Sequence, residues 1–335
     1  MQEGKKYPKI GISISNSHNL EANGFGDAHQ KDVTVEFARH LLANDYSLVF
    51  GHDLRVGGYS DLFAQLARVY LPPVYEDAEF RCENYLAWPF EYRIGRTARL
   101  DLEEARIKPV FLPKPEQVIP EQVESALPYY FVGEGTRPQS ASEEAFRVWS
   151  ISLYEMRKKM TETTQARIFI GGQIQAGKGA TTQGYSGRMP GVLEEGLLAI
   201  EAQQPVYLIG AFGGATQSMI NALLKEDTPR LSVDYQNKLY QNKQVEIEKG
   251  NGQKETVELR SYAERIKDFN RSYPDLKVEY NTIVKSFSNL GMEEFGHRNG
   301  LSIEENLRLF ETSHIPEMVR LVMRGLNNTL VNNKA

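Results

Sequence analysis

The sequence has little cysteine and no long apolar run. Its 335 residues include one cysteine, Cys82, which excludes an internal disulfide framework and a cysteine-based zinc site. We interpret Cys82 as a small core residue. No stretch approaches the roughly 18 consecutive apolar residues that cross a bilayer, and the amino terminus leads directly into an apolar strand without an export signal. These absences predict a cytoplasmic protein that does not engage a membrane.

Histidine is scarce, and positive charge is not in excess. The six histidines are scattered, with no pair at metal-ligand spacing on a recognisable helix, so we expect neither a metal nor another cofactor. Lysine and arginine number 39 against 44 acidic residues, which gives a net charge of −5. This mixed surface argues against a long nucleic acid as partner. With 41% hydrophobic residues, the chain can bury one large core.

Apolar runs with strand character alternate with segments of helical periodicity. The clearest helix places Phe146, Trp149, Leu153, Met156 and Met160 at spacings of 3, 4, 3 and 4. This alternation predicts an α/β fold: a Rossmann-like, doubly wound and mainly parallel sheet with helices on both faces. Strands are predicted within residues 10–15, 47–51, 80–90, 108–112, 166–171 and 205–210.

The chain divides into two predicted parts. Residues 8–230 carry the sheet, and residues 231–335 form an insertion and C-terminal helices packed on it. Within the second part, residues 235–290 are charged and irregular, with an exposed turn expected at 249–254 between short strands. Ser302 and Glu305 form a capping box that predicts a helix start, and a last helix is expected from Pro316.

Glycine pairs follow several of the predicted strands. The carboxyl ends of parallel strands share one edge of a sheet, so segments 13–17, 57–60, 171–191 and 213–216 should meet there. Glycine lets backbone N–H groups approach an anion, and a helix start favours negative charge. One such turn is more often simple geometry, but several on one edge predict a phosphate-bearing ligand. The candidate ligand-binding residues are Ser15, Arg55, Gly57, Gly58, Gly171, Gly172, Arg188, Gly191, Glu194, Gly213 and Gly214.

Alternatives stay open for some residues near these glycines. Arg55 and Asp53 either line the pocket or form a structural ion pair. Tyr59 and Tyr185, each in a glycine loop, are candidates for stacking on a base, although exposed aromatic loop residues are also ordinary.

Two familiar nucleotide motifs are incomplete. Residues 172–178 match most of a P-loop, but Gly179 stands where a Ser or Thr should hold magnesium, and no helix is predicted to start there. The first strand ends in serines, whereas a dinucleotide-binding strand ends in Gly-x-Gly-x-x-Gly. We therefore expect neither a P-loop NTPase nor a NAD dehydrogenase.

Arg157 and Glu195 are the candidate catalytic residues. Arg157 lies beside the buried stripe of the long helix, although helical spacing alone would make it a solvated cation. Glu194 and Glu195 open a helix, where each would contribute roughly 0.3–1 kcal/mol by electrostatics alone. Glu195 also has apolar helix neighbours, a setting that suits acid–base work. A guanidinium for phosphate and a carboxylate for proton transfer suit a nucleotide with a ribosyl bond to cleave.

This pattern resembles the Lonely Guy phosphoribohydrolases and the wider SLOG superfamily, which includes the Smf and DprA-like Rossmann-type domains. In those enzymes the arginine lies in a Met-x-x-Arg-Lys-x-x-Met-like helix, and the glutamate ends Pro-Gly-Gly-x-Gly-Thr-x-x-Glu. Arg157 and Glu195 are the matching positions. Here residues 173–189 separate Gly172 from Pro190, and Val192 replaces the threonine. The resemblance covers roughly residues 8 to 225 and is closest to SLOG domains of prokaryotic conflict systems, in which ligand binding can outlive catalysis.

The resemblance implies a nucleotide-derived ligand, of the adenine nucleotide or ADP-ribose type. One hypothesis is an enzyme that hydrolyses its N-glycosidic bond. The other is a non-catalytic sensor in antiphage or stress signalling, which acts through its own assembly or through a separate effector protein. A structural assembly protein is the third class. Related phosphoribohydrolases are dimers or larger, and the apolar helices from Phe146 and Gly191 carry more hydrophobic surface than one sheet face needs to cover. We therefore also expect a homo-oligomer with helices at its interface.

Overall fold

The computed structural model describes residues 7–17, 20–51, 59–70, 80–88, 102, 104, 106–119, 143–176, 185, 187–238, 243–248 and 254–331. Its strands are β1 Lys9–Ser15, β2 Ser47–Gly51, β3 Cys82–Leu86, β4 Ile107–Phe111, β5 Ala166–Gly171, β6 Val206–Ile209, β7 Lys243–Glu248 and β8 Lys254–Leu259. Its helices are α1 Asp27–Ala43, α2 Tyr59–Tyr70, α3 Glu143–Thr163, α4 Gly191–Glu201, α5 Gly214–Leu223, α6 Val233–Lys238, α7 Tyr262–Ser272, α8 Tyr280–Asn299, α9 Ile303–Glu311 and α10 Ile315–Leu326.

The first six strands form one parallel sheet in the order β4-β3-β2-β1-β5-β6. The order reverses direction at β1, whose neighbours are β2 and β5, and the crevice beyond such a switch point is where doubly wound folds bind ligands. The predicted Rossmann-like α/β fold is confirmed, and each predicted strand region of the sheet contains a strand. Cys82 is buried in β3, where burial raises the pKa of its thiol to about 12, in keeping with a core residue.

Helices cover both faces of the sheet, and side-chain alternation along each central strand assigns its residues to a face. Ile10 and Ile12 pack on the side of α1, α2, α9 and α10, as do Ile168 and Ile170 of β5. Phe169 points to the other side, toward α3, α4 and α5. Two cores therefore share one sheet.

The long helix α3 has its predicted stripe in the core. The five apolar side chains at spacings of 3, 4, 3 and 4 are all at most 3% exposed, so the prediction from helical periodicity is confirmed. Arg157 lies on this helix and is 8% exposed. The interpretation of Arg157 as a solvated surface cation is therefore wrong.

The C-terminal region is more regular than its composition indicates. Residues 235–290 were expected to be irregular, but they contain α6, α7 and the first half of α8 as well as the predicted pair of short strands, β7 and β8. In α7 the buried residues Tyr262, Ile266 and Phe269 recur at helical spacing, and Ser261 with Glu264 forms a capping box. The expectation was wrong because charged residues on the solvent face of α7 obscure this stripe.

The C-terminal helices pack on the sheet and its helices. Helix α8 lies against α5, α9 against β6, and α10 against α1. The Ser302–Glu305 capping box opens α9 as predicted, with Glu305 N donating to Ser302 Oγ at 3.2 Å. Among the described residues, no helix is both long enough and apolar enough to cross a bilayer.

Candidate functional site

The carboxyl ends of β1 and β5 meet as the sequence predicts. Ser15 pairs in register with Gly171. Gly172 N donates to the carbonyl of Ser15 at 2.8 Å, and Gln173 N donates to Ser15 Oγ at 3.0 Å. Gly171 and Gly172 have φ angles of 63° and 105°, a region that favours glycine. The chain therefore turns sharply over the end of β1.

Gly172 lies between the first turns of α4 and α5. A Cβ on it would stand 2.8 Å from Val192 Cβ and 2.9 Å from Ala215 Cβ. The carbonyl of Gly172 accepts a hydrogen bond from Ala215 N at 3.1 Å. Two positive helix ends thus converge on one point at the sheet edge, which is the electrostatic setting expected for an anion.

Gly213 and Gly214 bring α5 against this turn. Gly214 has a φ of 67°, and a Cβ there would lie 2.3 Å from the carbonyl oxygen of Gly172 and 2.7 Å from Ser17 Cβ. Gly213 N is bonded to Gly210 O at 2.9 Å. The N–H groups of Gly172, Gly213 and Ala215 therefore have partners inside the protein, and these glycines contribute close packing.

Glu194, in the first turn of α4, is held by two arginines. Arg188 Nε donates to Glu194 Oε1 at 2.6 Å, and Arg157 Nη1 donates to Oε2. The carboxylate is 1% exposed. Burial alone would raise its pKa, but Arg188 and Arg157 outweigh burial and leave the pKa below its ordinary value. Both arginines that were predicted to bind phosphate thus contact Glu194.

Glu195 is held by a different arginine, Arg167 on β5. Arg167 Nη2 donates to Glu195 Oε2 and, at 2.7 Å, to Ser13 Oγ, which in turn donates to Glu195 Oε2 at 2.6 Å. Arg167 is fully buried, and burial lowers its guanidinium pKa, against the opposing influence of Glu195. A Cβ on Gly11 would stand 2.6 Å from Arg167 Cδ, so glycine at 11 makes room for the arginine.

The two ion-paired groups touch each other. Arg157 Nε lies 3.6 Å from Glu195 Oε1, which joins them into one network. We call Arg157, Arg167, Arg188, Glu194 and Glu195 the arginine–glutamate network. Three guanidiniums face two carboxylates, and every one of these side chains is at most 12% exposed. The network therefore carries one positive charge in excess.

Gly191 places Arg157 at the start of α4. A Cβ on Gly191 would lie 2.5 Å from Arg157 Nη2, so only glycine leaves room for the guanidinium there. The predicted site residues Arg157, Arg188, Gly191, Glu194 and Glu195 are thus brought together. Through Val192 they adjoin the second predicted group, Ser15, Gly171, Gly172, Gly213 and Gly214.

Arg167 and Ser13 are members of the site that the motif search did not single out as ligands or partners. A signal was present, because an arginine interrupts the otherwise apolar strand 166–171. A charged side chain in a strand buried on both faces needs a partner. Glu194 and Glu195, at the start of the following helix, were candidates for that partner.

Described residues of the segment that splits the glycine motif are hydrogen-bonded to the C-terminal region. Tyr185 is 8% exposed and donates to Gln236 Oε1 at 3.0 Å, and Gln236 Nε2 donates to the carbonyl of Ile174 at 2.8 Å. Tyr262 donates to the carbonyl of Arg188 at 2.7 Å. The expectation that Tyr185 is exposed for stacking on a base is therefore wrong.

Tyr59, the other candidate for stacking on a base, is also buried. Tyr59 is 4% exposed, with its hydroxyl 3.2 Å from Asn16 Oδ1. Asp53, Arg55, Gly57 and Gly58 lie outside the described residues, as does the 177–179 part of the incomplete P-loop. In the described part of the chain, no three His, Cys, Asp or Glu side chains cluster as metal ligands would.

Comparison with known protein families agrees with this architecture. The family model described as SLOG cluster2 matches residues 5–309. The chain belongs to the SLOG cluster2 family. The match extends past the predicted boundary at residue 230 and includes α6 to α8 and most of α9, so the family pattern contains both the sheet and the region that fastens the 173–190 segment. Membership in the SLOG superfamily indicates a nucleotide-related function. No curated protein matches the chain significantly.

Proposed function

We propose that this SLOG protein is a receptor for a phosphate-bearing, nucleotide-derived ligand of the adenine nucleotide or ADP-ribose type. The observation that supports it is the excess positive charge of the arginine–glutamate network beside two converging helix starts. A buried net charge is costly unless a counter-charge offsets it. One phosphate at the start of α4 supplies that counter-charge.

Arg157 is the residue best placed to meet the phosphate. Its Nη1 is engaged by Glu194, whereas Nη2 lies at the start of α4 next to Gly191. A phosphate oxygen bound to Nη2 would also interact with the positive end of the α4 dipole. Glu194 then orients Arg157 and Arg188, a role other than the direct ligand contact that the sequence led us to expect.

A receptor is favoured over an enzyme by the partners of Glu195. Its Oε2 already accepts from Arg167 and from Ser13. A carboxylate that is committed to an ion pair and a hydroxyl must break both contacts before that oxygen takes a proton from water. The same contacts suit a fixed carboxylate that accepts a hydrogen bond from a ligand hydroxyl.

Hydrolysis of an N-glycosidic bond is the second candidate function, and one observation favours it. Glu195 Oε1 lies 3.6 Å from Arg157 Nε, beyond hydrogen-bond length, and the Glu195 side chain is 12% exposed against 1% for Glu194. This oxygen has room for a water or a ribose hydroxyl. It is the atom through which a glycosidase mechanism would act.

Thermal melting against inorganic phosphate, ribose 5-phosphate, AMP and ADP-ribose tests the receptor. Ligand at about 100 times Kd should add roughly 2.7 kcal/mol to the free energy of unfolding. Arg157→Ala should remove most of the stabilisation. Arg271→Ala is the matched control, because that arginine is 74% exposed and belongs to another helix. If none of the four compounds shifts the wild-type melting temperature, the proposal is wrong.

Release of free base from AMP or ADP-ribose separates the two functions. If the protein is a receptor, wild-type protein should release no free base during hours of incubation. The glycosidase expects release that Glu195→Gln abolishes while ligand-induced stabilisation persists, since the variant loses proton transfer and keeps shape. Release that survives Glu195→Gln would point to a contaminating enzyme.

Assembly is a separate part of the proposal. Apolar surface on α3 and α4 was the sequence argument for a homo-oligomer, but the stripe of α3 and Val192, Leu193, Ala199 and Ile200 of α4 are buried within one chain. The oligomer therefore rests on the family resemblance. Light scattering with and without ADP-ribose tests it, and a receptor that signals through assembly must change its mass, because a ligand acts only by binding two states differently. An unchanged mass would direct attention to a separate effector protein.

A further inference from the structure

A cavity with several polar and charged lining residues lies beside α5. It has a volume of about 440 Å³ and lies between one face of α5, the turn before α1 and the segment after α5. Among its lining residues are Asn23, Gln217, Ser218, Asn221, Asp227 and Arg230. The arginine–glutamate network includes none of them.

The cavity and the candidate site share helix α5. Gly214, Gln217, Ser218 and Asn221 stand at positions i, i+3, i+4 and i+7, which is one face of a helix. That face begins at Gly214 beside Ser17, at the ends of β1 and β5. With a rise of about 1.5 Å per residue, Asn221 lies about 10 Å along the axis from Gly214. The ligand inferred below would run along α5 over about this distance, from the sheet edge to the cavity.

The lining suits the uncharged end of such a ligand. Asp227 and Arg230 contribute one charge of each sign, so the ionised lining groups named here sum to zero. The cavity therefore attracts a phosphate less strongly than the arginine–glutamate network, which has one positive charge in excess. Three carboxamides, on Asn23, Gln217 and Asn221, present donors and acceptors side by side, which is the pattern that pairs with the amino group and ring nitrogen of adenine.

The carboxamides are already oriented by the protein. Gln217 Nε2 donates to Asn221 Oδ1 at 2.7 Å, Asn221 Nδ2 lies 3.4 Å from the carbonyl of Asp227, and Asn23 Nδ2 lies 3.3 Å from the carbonyl of Ala211. Two of these contacts are long for a hydrogen bond, so a base edge can replace them at small cost. Among the described residues no donor contacts Gln217 Oε1 or Asn23 Oδ1, and these two oxygens are the acceptors for an amino group.

We propose that this cavity is the base-recognition subsite, and that it binds the hydrogen-bonding edge of an adenine-type base. The inference rests on the proposed function, because the phosphate of the same ligand is the one proposed at the start of α4. It identifies the end of the ligand that the cavity recognises and the side chains that recognise it. A bare sugar is the rival occupant.

Calorimetric titration with AMP and with ribose 5-phosphate tests the subsite, since the two share a phosphate and a ribose and differ in the base. Wild-type protein should bind AMP at least about tenfold more tightly. Asn221→Leu and Gln217→Leu should each reduce that ratio toward one while the affinity for ribose 5-phosphate stays within about twofold. Asn281→Leu, an exposed asparagine on α8, is the matched control.

The outcomes distinguish the subsite from the proposed function. If AMP and ribose 5-phosphate bind wild-type protein equally, the phosphate site stands and the base subsite is refuted. A tenfold preference for AMP that survives both leucine variants also refutes it, because the base is then read elsewhere. If neither compound binds, the subsite is refuted, whereas the proposed function fails only if ADP-ribose and inorganic phosphate also leave the melting temperature unchanged. A melting curve for each leucine variant shows whether that variant is folded. Because two positions are substituted, misfolding of one variant still leaves the other as a test.

Discussion

Arg167 on β5 and Glu195 on α4 form a buried ion pair that is completed by Ser13 of β1. The pair joins the two central strands to the helix that starts at the candidate site. Because Arg167 is fully buried, its charge has no solvent to compensate for a lost partner. The ion pair with Glu195 explains why an arginine is tolerated inside an otherwise apolar strand.

Removing the arginine should therefore destabilise the fold more than removing a surface charge. We expect Arg167→Met to lower the free energy of unfolding by about 3–5 kcal/mol, because Glu195 is left without its main partner. Urea denaturation measures this. In the Arg167→Met background, Glu195→Gln should cost less than it does alone, with a coupling energy of about 0.5–3 kcal/mol. Additive effects would show that the pair is not energetically coupled.

Glu194 should make stability depend on acid pH. Its pKa is held below the ordinary value of 4.5 in the folded protein. A depressed carboxyl pKa contributes stability that is fully present above the unfolded value and is lost as pH falls through the folded value. We expect the stability of wild-type protein to fall below about pH 4.5. Glu194→Gln should be less stable at neutral pH by about 3–5 kcal/mol, because Arg157 and Arg188 lose a buried partner.

The pH series provides its own check. Since Glu194→Gln removes the titrating group, the difference in melting temperature between wild type and variant should narrow as pH is lowered from 7 to 3. Glu162→Gln is a suitable control, because that carboxylate is 50% exposed and pairs with Lys159 on the surface of α3. A difference that stays constant over this range would contradict the assigned role of Glu194.

Two glycines should respond differently to alanine. A Cβ at Gly214 meets the backbone of Gly172, at a φ of 67°, so neither partner can yield. A Cβ at Gly191 meets the end of the Arg157 side chain, which can move. We expect Gly214→Ala to cost clearly more than the roughly 1–2 kcal/mol of a left-handed alanine, and Gly191→Ala to retain the fold while displacing Arg157.

Gly24→Ala isolates the cost of the backbone angle in this comparison, because Gly24 has a φ of 80° and open space around its Cβ position. Chemical denaturation gives the three free energies, and the shift in melting temperature with ADP-ribose reports on Arg157. Gly191→Ala should lose that shift, and its loss of stability should stay below that of Gly214→Ala, because Glu194 keeps Arg188 as a partner. If Gly214→Ala is no worse than Gly24→Ala, close packing at the sheet edge is not the reason for glycine at 214.

The fold was largely predictable because its determinants are local. Buried parallel strands give continuous apolar runs in the sequence, and α3 gives a stripe of apolar residues at helical spacing. Each of these elements can therefore be predicted from its own residues, although the order of the strands cannot. The C-terminal region was predicted less well. In α7 the apolar stripe is interspersed with charges, and its burial depends on α8 and on the distant segment 173–190.

The site was predictable only in part, because its pairings are not local. Sequence placed Arg157 and Glu195 together through a family pattern, but it could not indicate that Arg157 contacts Glu194 and that Glu195 contacts Arg167. Those contacts depend on which faces of α3, α4 and β5 meet over the sheet. The position of Gly11, which makes room for Arg167, becomes meaningful only once the strands are in register.

Tyr185, Tyr262 and Tyr280 have their hydroxyl groups close together beside Arg188, and this contact gives the last prediction. Tyr262 donates to the carbonyl of Arg188 at 2.7 Å, and its hydroxyl lies 2.9 Å from that of Tyr280. Tyr262→Phe removes the hydroxyl without changing the ring, so a buried carbonyl two residues before Pro190 loses its donor. We expect the free energy of unfolding to fall by about 1–3 kcal/mol, as measured by urea denaturation.

The same substitution should weaken ligand binding. Arg188 lies in segment 173–190 and binds Glu194, which in turn orients Arg157. A melting-temperature shift with ADP-ribose that falls in Tyr262→Phe but not in Tyr235→Phe would support this coupling. Tyr235 is the appropriate control, because within the described residues its hydroxyl makes one contact, a long one of 3.4 Å with Gln175. Equal losses in both variants would mean that the C-terminal region stabilises the protein without acting on the candidate site.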